Sequence, residues 1–344
     1  MDAPVENGLS ETKKCMGCKL VKPKYEFNSD ASRKDGLDNR CKECKRIYRI
    51  KNPERQKRYE HNRIEKNKEM NEDKTDEYID YLHKKGFFIT KDAQQKNYRF
   101  NLDIKPWKGR LYKIGVVSDT HLGSRYQQLT SLHKFYKICQ EENIREIFHC
   151  GDILDGQHIY KGQEYELFMH GVDAQVNYAI ENYPDHNDIT TYFICGNHDE
   201  SHYKLSGVDV GEQIAKERKD MKYKGFHGAY FNIKGVNIYL HHGDGGVAYA
   251  RSYKAQKLIE QMSPENKPHM MFLGHYHVGC HLPMYRNVYL WQMPCFQAQT
   301  PYLLAKGLEP ELMGLIVSFR ISEGKPYAFE EKKICFHEVL KEDF

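Results

Sequence analysis

The chain has 344 residues, 40% hydrophobic and 12% aromatic, with 52 basic side chains against 48 acidic ones and a formal net charge of +4. That length exceeds what one compact core comfortably fills, so one large domain plus a smaller module is expected. No run of about 18 apolar residues occurs, and the start MDAPVENGLS lacks the basic and apolar regions of a signal peptide, so a cytoplasmic protein is the default expectation.

The first element is read from its cysteines. Cys15-x-x-Cys18 and Cys41-x-x-Cys44, separated by twenty-two residues, have the spacing of two knuckles that close a tetrahedral structural Zn²⁺. The other six cysteines are scattered singly and read as reduced, buried thiols. From Lys13 to Arg58 stand sixteen Lys or Arg and six acids, +10 in 46 residues, which leaves about −6 for the rest of the chain. A basic module joined to an acidic body, with Tyr25, Phe27 and Tyr48 among its cations, suits a phosphate backbone, so nucleic acid, and DNA in particular, is the expected partner. Residues 53–75 are almost wholly polar and read as a solvated helix or linker, and Tyr78, Ile79 and Leu82 ahead of Gly86 predict a short helix and turn. The expected domains are a basic zinc module over 11–50, a charged linker with a small helical segment over 51–108, and a main domain over 109–344.

From Leu111 the pattern changes. YKIGVVSDTH, REIFHCGDILDG, TTYFICGNHD, VNIYLHHGDG and HMMFLGHYH are apolar runs that each end in Asp, His or Asn beside glycine. Helix-like stretches such as 127–143 and 249–262 lie between them, and strands alternating with helices predict a layered α/β domain around a buried sheet. VYLWQMPCF, LMGLIVSFRI and YAFEEKKICF predict further strands with no helix between them.

The strand ends gather Asp119 and His121, then Asp152 and Asp155, then Asn197, His198 and Asp199, then His241, His242 and Asp244, then His275 and His277. Open α/β sheets bind ligands at such ends. Carboxylate, amide and imidazole donors together suit Mn²⁺, Fe or Zn²⁺ better than an all-oxygen Ca²⁺ or Mg²⁺ cage, with Mn²⁺ the first choice. This many donors favours two ions over one, with a carboxylate such as Asp152 as the bridge. Two ions about 3.5–4 Å apart clamp a phosphate and turn a bridging water into hydroxide for in-line attack. Arg251 and Lys254, on a predicted helix after the His242 block, are candidates for phosphate contact.

Five blocks in order, Asp119-x-His121, Gly151-Asp152-x-x-Asp155, Gly196-Asn197-His198-Asp199, His242-Gly243 and Gly274-His275-x-His277, resemble those of the calcineurin-like metallophosphoesterases. The resemblance covers about Leu111 to Phe344 and implies a two-layer β-sandwich flanked by helices. It implies one metal on Asp119, His121, Asp152 and His277, and a second that shares Asp152 and takes Asn197, His242 and His275. It makes His198 the proton donor to the leaving oxygen, oriented by Asp155 or Asp199. Asp199 stands where the nuclease and phosphodiesterase branches, such as the Mre11/SbcD group, carry Asp and phosphoprotein phosphatases commonly carry Glu. The cysteine segment resembles the short zinc modules that accompany HNH-type nucleases of phages and bacteria, without an HNH catalytic set. A nucleic-acid phosphodiesterase, most simply a DNA nuclease, is the leading expectation, and the resemblance to nucleases that often dimerise implies a homodimer. The alternative is a phosphatase or small-nucleotide phosphodiesterase whose zinc module is a docking element.

Overall fold

The computed structural model describes residues 12–30, 33–51, 99–107, 111–186, 188–340 and 343. The polar stretch 53–75 and the helix expected around Tyr78–Leu82 lie outside these residues. The chain divides into two compact units, Met1–Gln95 and Lys96–Phe344. Among the described residues no helix is long and apolar enough to cross a membrane.

The first unit is small. Strands β1 (Thr12–Lys14) and β2 (Val21–Pro23) form one antiparallel pair, and β3 (Phe27–Ser29) and β4 (Leu37–Cys41) another. Helix α1 (Lys42–Lys51) follows directly. The buried cluster here is only Cys15, Phe27 and Cys41, with Leu37 and Cys44 packed on it. Three buried residues cannot offset the conformational entropy of some 40 ordered ones, so a cross-link must supply what the core lacks. The four cysteine Sγ atoms supply the means, all lying within 4.8 Å of one another. The Cys15 Sγ accepts backbone N–H bonds from Gly17 (3.3 Å) and Cys41 (3.2 Å). Burial raises this thiol, but its backbone N–H partners outweigh burial and hold it at about 6, the direction a metal-binding thiolate needs. Phe27 is buried in this small core, at 4% exposure, whereas Tyr25 is 72% exposed.

The second unit begins with β5 (Arg99–Asn101) and β6 (Leu111–Val117), then α2 (Leu129–Glu141), β7 (Glu146–His149), α3 (Val172–Asn182) and β8 (Thr190–Cys195). Two helices, α4 (Asn197–Ser206) and α5 (Val210–Glu217), precede β9 (Met221–Phe226), β10 (Gly228–Ile233) and β11 (Val236–His241). Helix α6 (Tyr253–Gln261) leads to β12 (Met270–Leu273), β13 (Cys280–Tyr285) and β14 (Val288–Gln292). A short helix α7 (Pro301–Ala305) then separates β14 from the closing hairpin β15 (Met313–Ser322) and β16 (Lys325–Cys335). That helix departs from the helix-free ending expected of the sequence. Five residues are too few for a periodic signal; Pro301 at its start and Thr300, whose Oγ1 accepts from the Leu303 N–H at 3.2 Å, define it.

The strands form two six-stranded sheets, ordered β16-β15-β6-β7-β8-β9 and β13-β14-β12-β11-β10-β5. In the first, β6 to β9 run parallel and the β15–β16 hairpin closes the edge antiparallel. In the second, β11, β12 and β14 run parallel. Ile114, Val116, Phe148 and Ile194 of the first sheet pack against Phe231, Ile238, Leu240 and Phe272 of the second, making the core between them. The outer face of the first sheet is covered by helices. Leu132, Phe135, Tyr136 and Cys139 fall at helical spacing on α2 and are buried there, with Val176 and Ile214 of the next helices. Ala255 and Ile259 of α6 cover Leu273 and Leu290 of the second sheet. The result is the two-layer sandwich flanked by helices that the motif order implied.

Candidate active site

Every candidate ligand follows the C-terminal end of a strand. Asp119 and His121 follow β6, Asp152 follows β7, Asn197 follows β8, His242 follows β11, and His275 and His277 follow β12. The backbone at this rim is unusual: Asp119 (φ 52°), His121 (47°), Asp152 (55°), His275 (79°) and His277 (57°) all lie in the left-handed region. Non-glycine residues persist there only where the surroundings over-determine them, which is a mark of functional sites. Gly196 is different. Its φ of −106° needs no glycine, so it does not serve to turn the chain sharply; a Cβ at this position would collide with the Asp152 carboxylate and the His242 ring.

The side chains form two clusters joined by Asp152. Donor atoms of Asp119, His121 and His277 lie within 4.8 Å of one another, as do those of Asp152, His242 and His275. Asp152 is also within that distance of His121 and His198. The His121 Nε2 is 3.1 Å from the His277 Nε2, which is 3.4 Å from the Asp119 Oδ1. The His242 Nε2 is 2.9 Å from the Asp152 Oδ2 and 3.1 Å from the Asn197 Oδ1.

Second contacts fix which nitrogen of each ring faces the cluster. The His242 Nδ1 donates to the Cys150 carbonyl at 2.8 Å, the His121 Nδ1 to the Asp155 Oδ1 at 2.9 Å, and the His275 Nε2 to the Gly245 carbonyl at 2.9 Å. Each ring then keeps its other nitrogen for the cluster, the arrangement that outer partners impose on metal-binding imidazoles. The His242 Nε2 faces two oxygens, an arrangement that needs a proton or a metal ion between them. Asp119, Asp152 and His242 are at most 1% exposed, and carboxylates so deeply buried demand positive charge nearby. Burial would lower His242, but Asp152 outweighs it and lifts the imidazole to about 9, while Asp152 itself is held well below the carboxylate range. Two carboxylates, four imidazoles and an amide oxygen of this geometry fit divalent ions.

Beside the clusters, the His198 Nδ1 donates to the Asp155 carbonyl at 2.5 Å and its backbone N–H to the Asp152 Oδ1 at 2.9 Å. Its ring meets His121 edge-on at 4.5 Å between centroids, and burial lowers its pKa. Asp155 thus serves both rings: its carboxylate orients His121, and its carbonyl holds His198. The Asp155 carboxyl oxygen is 3.8 Å from the His198 Nδ1. Asp199 points elsewhere, its carboxylate accepting from the backbone N–H groups of Ile153 (3.2 Å), Leu154 (2.8 Å) and Gly196 (2.9 Å). Burial, reinforced by Asp152, lifts it to about 7. It ties two rim loops together and does not orient His198.

His242, not His241, enters the cluster; the His241 Nδ1 accepts from the Gly243 N–H at 2.8 Å. Arg251 pairs with Glu311 at 2.6 Å, and neither it nor Lys254 lines the cavity in front of the ligands. That cavity is about 390 Å³, and His121, Asp152, Asn197, His198, His275 and His277 all open onto it. Among the described residues that line it there is no Lys or Arg, while Asp244 and Glu309 are present. Two glutamines complete the site: the Gln297 Nε2 donates to the Asp155 Oδ1 at 3.0 Å, and the Gln163 Nε2 to the Asp155 carbonyl at 2.7 Å. Neither falls in a motif, so no local signal marks them.

Residues 112–283 match the calcineurin-like phosphoesterase superfamily domain, and the chain belongs to that superfamily. All the rim residues lie inside that stretch. The DNA polymerase II small subunit of Methanothermobacter thermautotrophicus is 25% identical over 235 residues, covering 56% of this chain and 48% of that protein. Its counterpart in Archaeoglobus fulgidus is 25% identical over 246 residues, 59% of this chain and 50% of its own. The chain spans about half the length of these curated relatives. Among solved structures, the Pseudomonas putida nuclease MPE aligns at 16% identity with a TM-score of 0.29 over 54% of this chain and 76% of its own. A Mycoplasma pneumoniae phosphatase aligns at 10% identity with a TM-score of 0.38, over 65% and 94%.

Proposed function

We propose that the chain is a two-metal phosphodiesterase acting on nucleic acid, DNA before RNA. The observation that carries this reading is the cavity's charge: metal ligands at its floor, no Lys or Arg among the described residues of its walls, and two acids at its edge. A monoester dianion offers two negative charges that walls of this kind do not neutralise, whereas a diester brings one. Relatives named for a DNA polymerase, and a basic cysteine module that raises the local concentration of polyanions, support the choice of nucleic acid.

Asp119, His121, Asp152 and His277 would hold one ion, and Asp152, Asn197, His242 and His275 the other. Divalent ions held by these residues would supply Lewis acidity for the phosphoester and for the attacking water. With its Nδ1–H donated to the Asp155 carbonyl, His198 keeps Nε2 for the leaving oxygen; as the imidazolium, which burial opposes and the Asp152 and Asp155 charges beside it favour, it gives up the Nε2 proton and is left neutral. Mn²⁺ is the preferred occupant of the rim and Zn²⁺ of the cysteine cluster.

The test is a substrate pair in Mn²⁺. Bis-p-nitrophenyl phosphate is expected to be hydrolysed at least tenfold faster, by kcat/KM, than p-nitrophenyl phosphate. The reverse preference overturns the diester reading and favours a phosphatase.

A further inference from the structure

The cavity has one wall that the proposed chemistry does not use. Tyr160 and Tyr302, distant in sequence, stack with 4.0 Å between ring centroids and 18° between planes, and both line the cavity. Leu303, Leu308 and Pro310 continue the same surface. Glu166 fixes the pair. Only 6% exposed, its carboxylate accepts from the Tyr160 hydroxyl at 2.7 Å and from the Tyr302 backbone N–H at 3.1 Å. The cap at Thr300 sets the helix that carries Tyr302. Tyr302 itself keeps 36% of its surface in solvent, and the Lys306 Nζ lies 5.6 Å from its ring centroid.

Rings recruited only for stability would face the core. These open onto the same cavity as ionisable groups, and a buried carboxylate sets their position. The cavity walls lack Lys and Arg among the described residues, so what flanks the phosphate meets this apolar and aromatic surface beside neutral and acidic groups such as Gln297 and Glu309. A nucleobase suits that surface, being flat and π-rich, and aromatic rings bind bases regardless of sequence. At about 390 Å³ the cavity sits near the lower end of the roughly 300–1,000 Å³ typical of ligand pockets, room for one nucleotide and not for a base pair.

Resting on the phosphodiesterase reading above, we propose that the Tyr160–Tyr302 wall is a stacking subsite for the nucleobase next to the phosphodiester that is cut, so that the enzyme takes unpaired nucleotides. A base inside a duplex is already stacked on both faces and must leave the helix to use such a wall.

Two diesters that share a leaving group test this: the p-nitrophenyl ester of thymidine 5′-monophosphate, and methyl p-nitrophenyl phosphate, which has no base. The wild-type protein in Mn²⁺ is expected to prefer the thymidine ester by kcat/KM. Tyr302→Ala is expected to cut that preference about 5–150-fold, the range that base–aromatic stacking supplies, mainly through KM. The same variant should turn over the methyl ester within twofold of wild type, and Tyr302→Trp should keep the preference. An unchanged preference in Tyr302→Ala, or equal losses on both diesters, overturns the stacking subsite and leaves the diesterase reading intact. If only p-nitrophenyl phosphate is hydrolysed, the diesterase reading fails first and the subsite with it.

Discussion

The chain builds two metal-binding arrangements from different chemistry, and the contrast between them says what each is for. The cysteine cluster uses four identical soft donors at the centre of a module with almost no other core. The rim uses seven donors of three kinds at the edge of a sandwich that already has a large core on both faces of its sheets. A closed set of four thiolates leaves a tetrahedral ion no open position, so it serves folding. Mixed donors facing a cavity leave coordination positions for substrate and water, so they serve chemistry. The backbone agrees. Five rim residues hold left-handed conformations that a stable scaffold can sustain, whereas none of the four cysteines does.

Replacing His198 by Ala breaks the comparison on the reactive side with the largest effect. Turnover of bis-p-nitrophenyl phosphate is expected to fall about 10²–10⁴-fold while the metal content stays as in wild type. Full activity would remove His198 from the mechanism. A smaller effect belongs to the cysteines. The double variant Cys41→Ser with Cys44→Ser is expected to lose one Zn²⁺ per chain and to bind DNA about tenfold or more weakly at low salt, with a flatter dependence of log affinity on log salt. Its turnover of the small diester should stay within twofold. Unchanged DNA affinity would show that this module is not the anchor.

The rim was legible in the sequence because each block pairs an apolar strand with its chemistry in a few consecutive residues. FICGNHD and MFLGHYH state both the element and the ligand locally. The cysteine spacing is legible for the same reason. What was not legible depends on residues that meet only in the fold. Nothing near Tyr160 points to Tyr302, nor near Glu166 to either, since one lies after β7 and another in a helix of five residues. Asp199 sits in the right block and yet spends its carboxylate on three backbone donors, a role that spacing cannot distinguish from orienting a histidine. Asp155 likewise orients His121 with its side chain and His198 with its main chain, and only coordinates separate the two. Sheet order was also hidden, because β14 pairs with β12 and β15 crosses to β6 through contacts remote in sequence.

Asp152 belongs to both rim clusters and not to the cysteine cluster, so it is the residue that would join two ion sites. Metal analysis of the protein loaded with Mn²⁺ and Zn²⁺, in wild type and in Asp152→Ala, addresses this directly. Two rim ions and one cysteine-bound Zn²⁺ are expected in the wild type. In the variant both rim ions should be weakened together, the Zn²⁺ retained, and diester turnover lowered by more than about 10³-fold. A variant that keeps both rim ions, or a wild type that binds a single one, would contradict this role of Asp152.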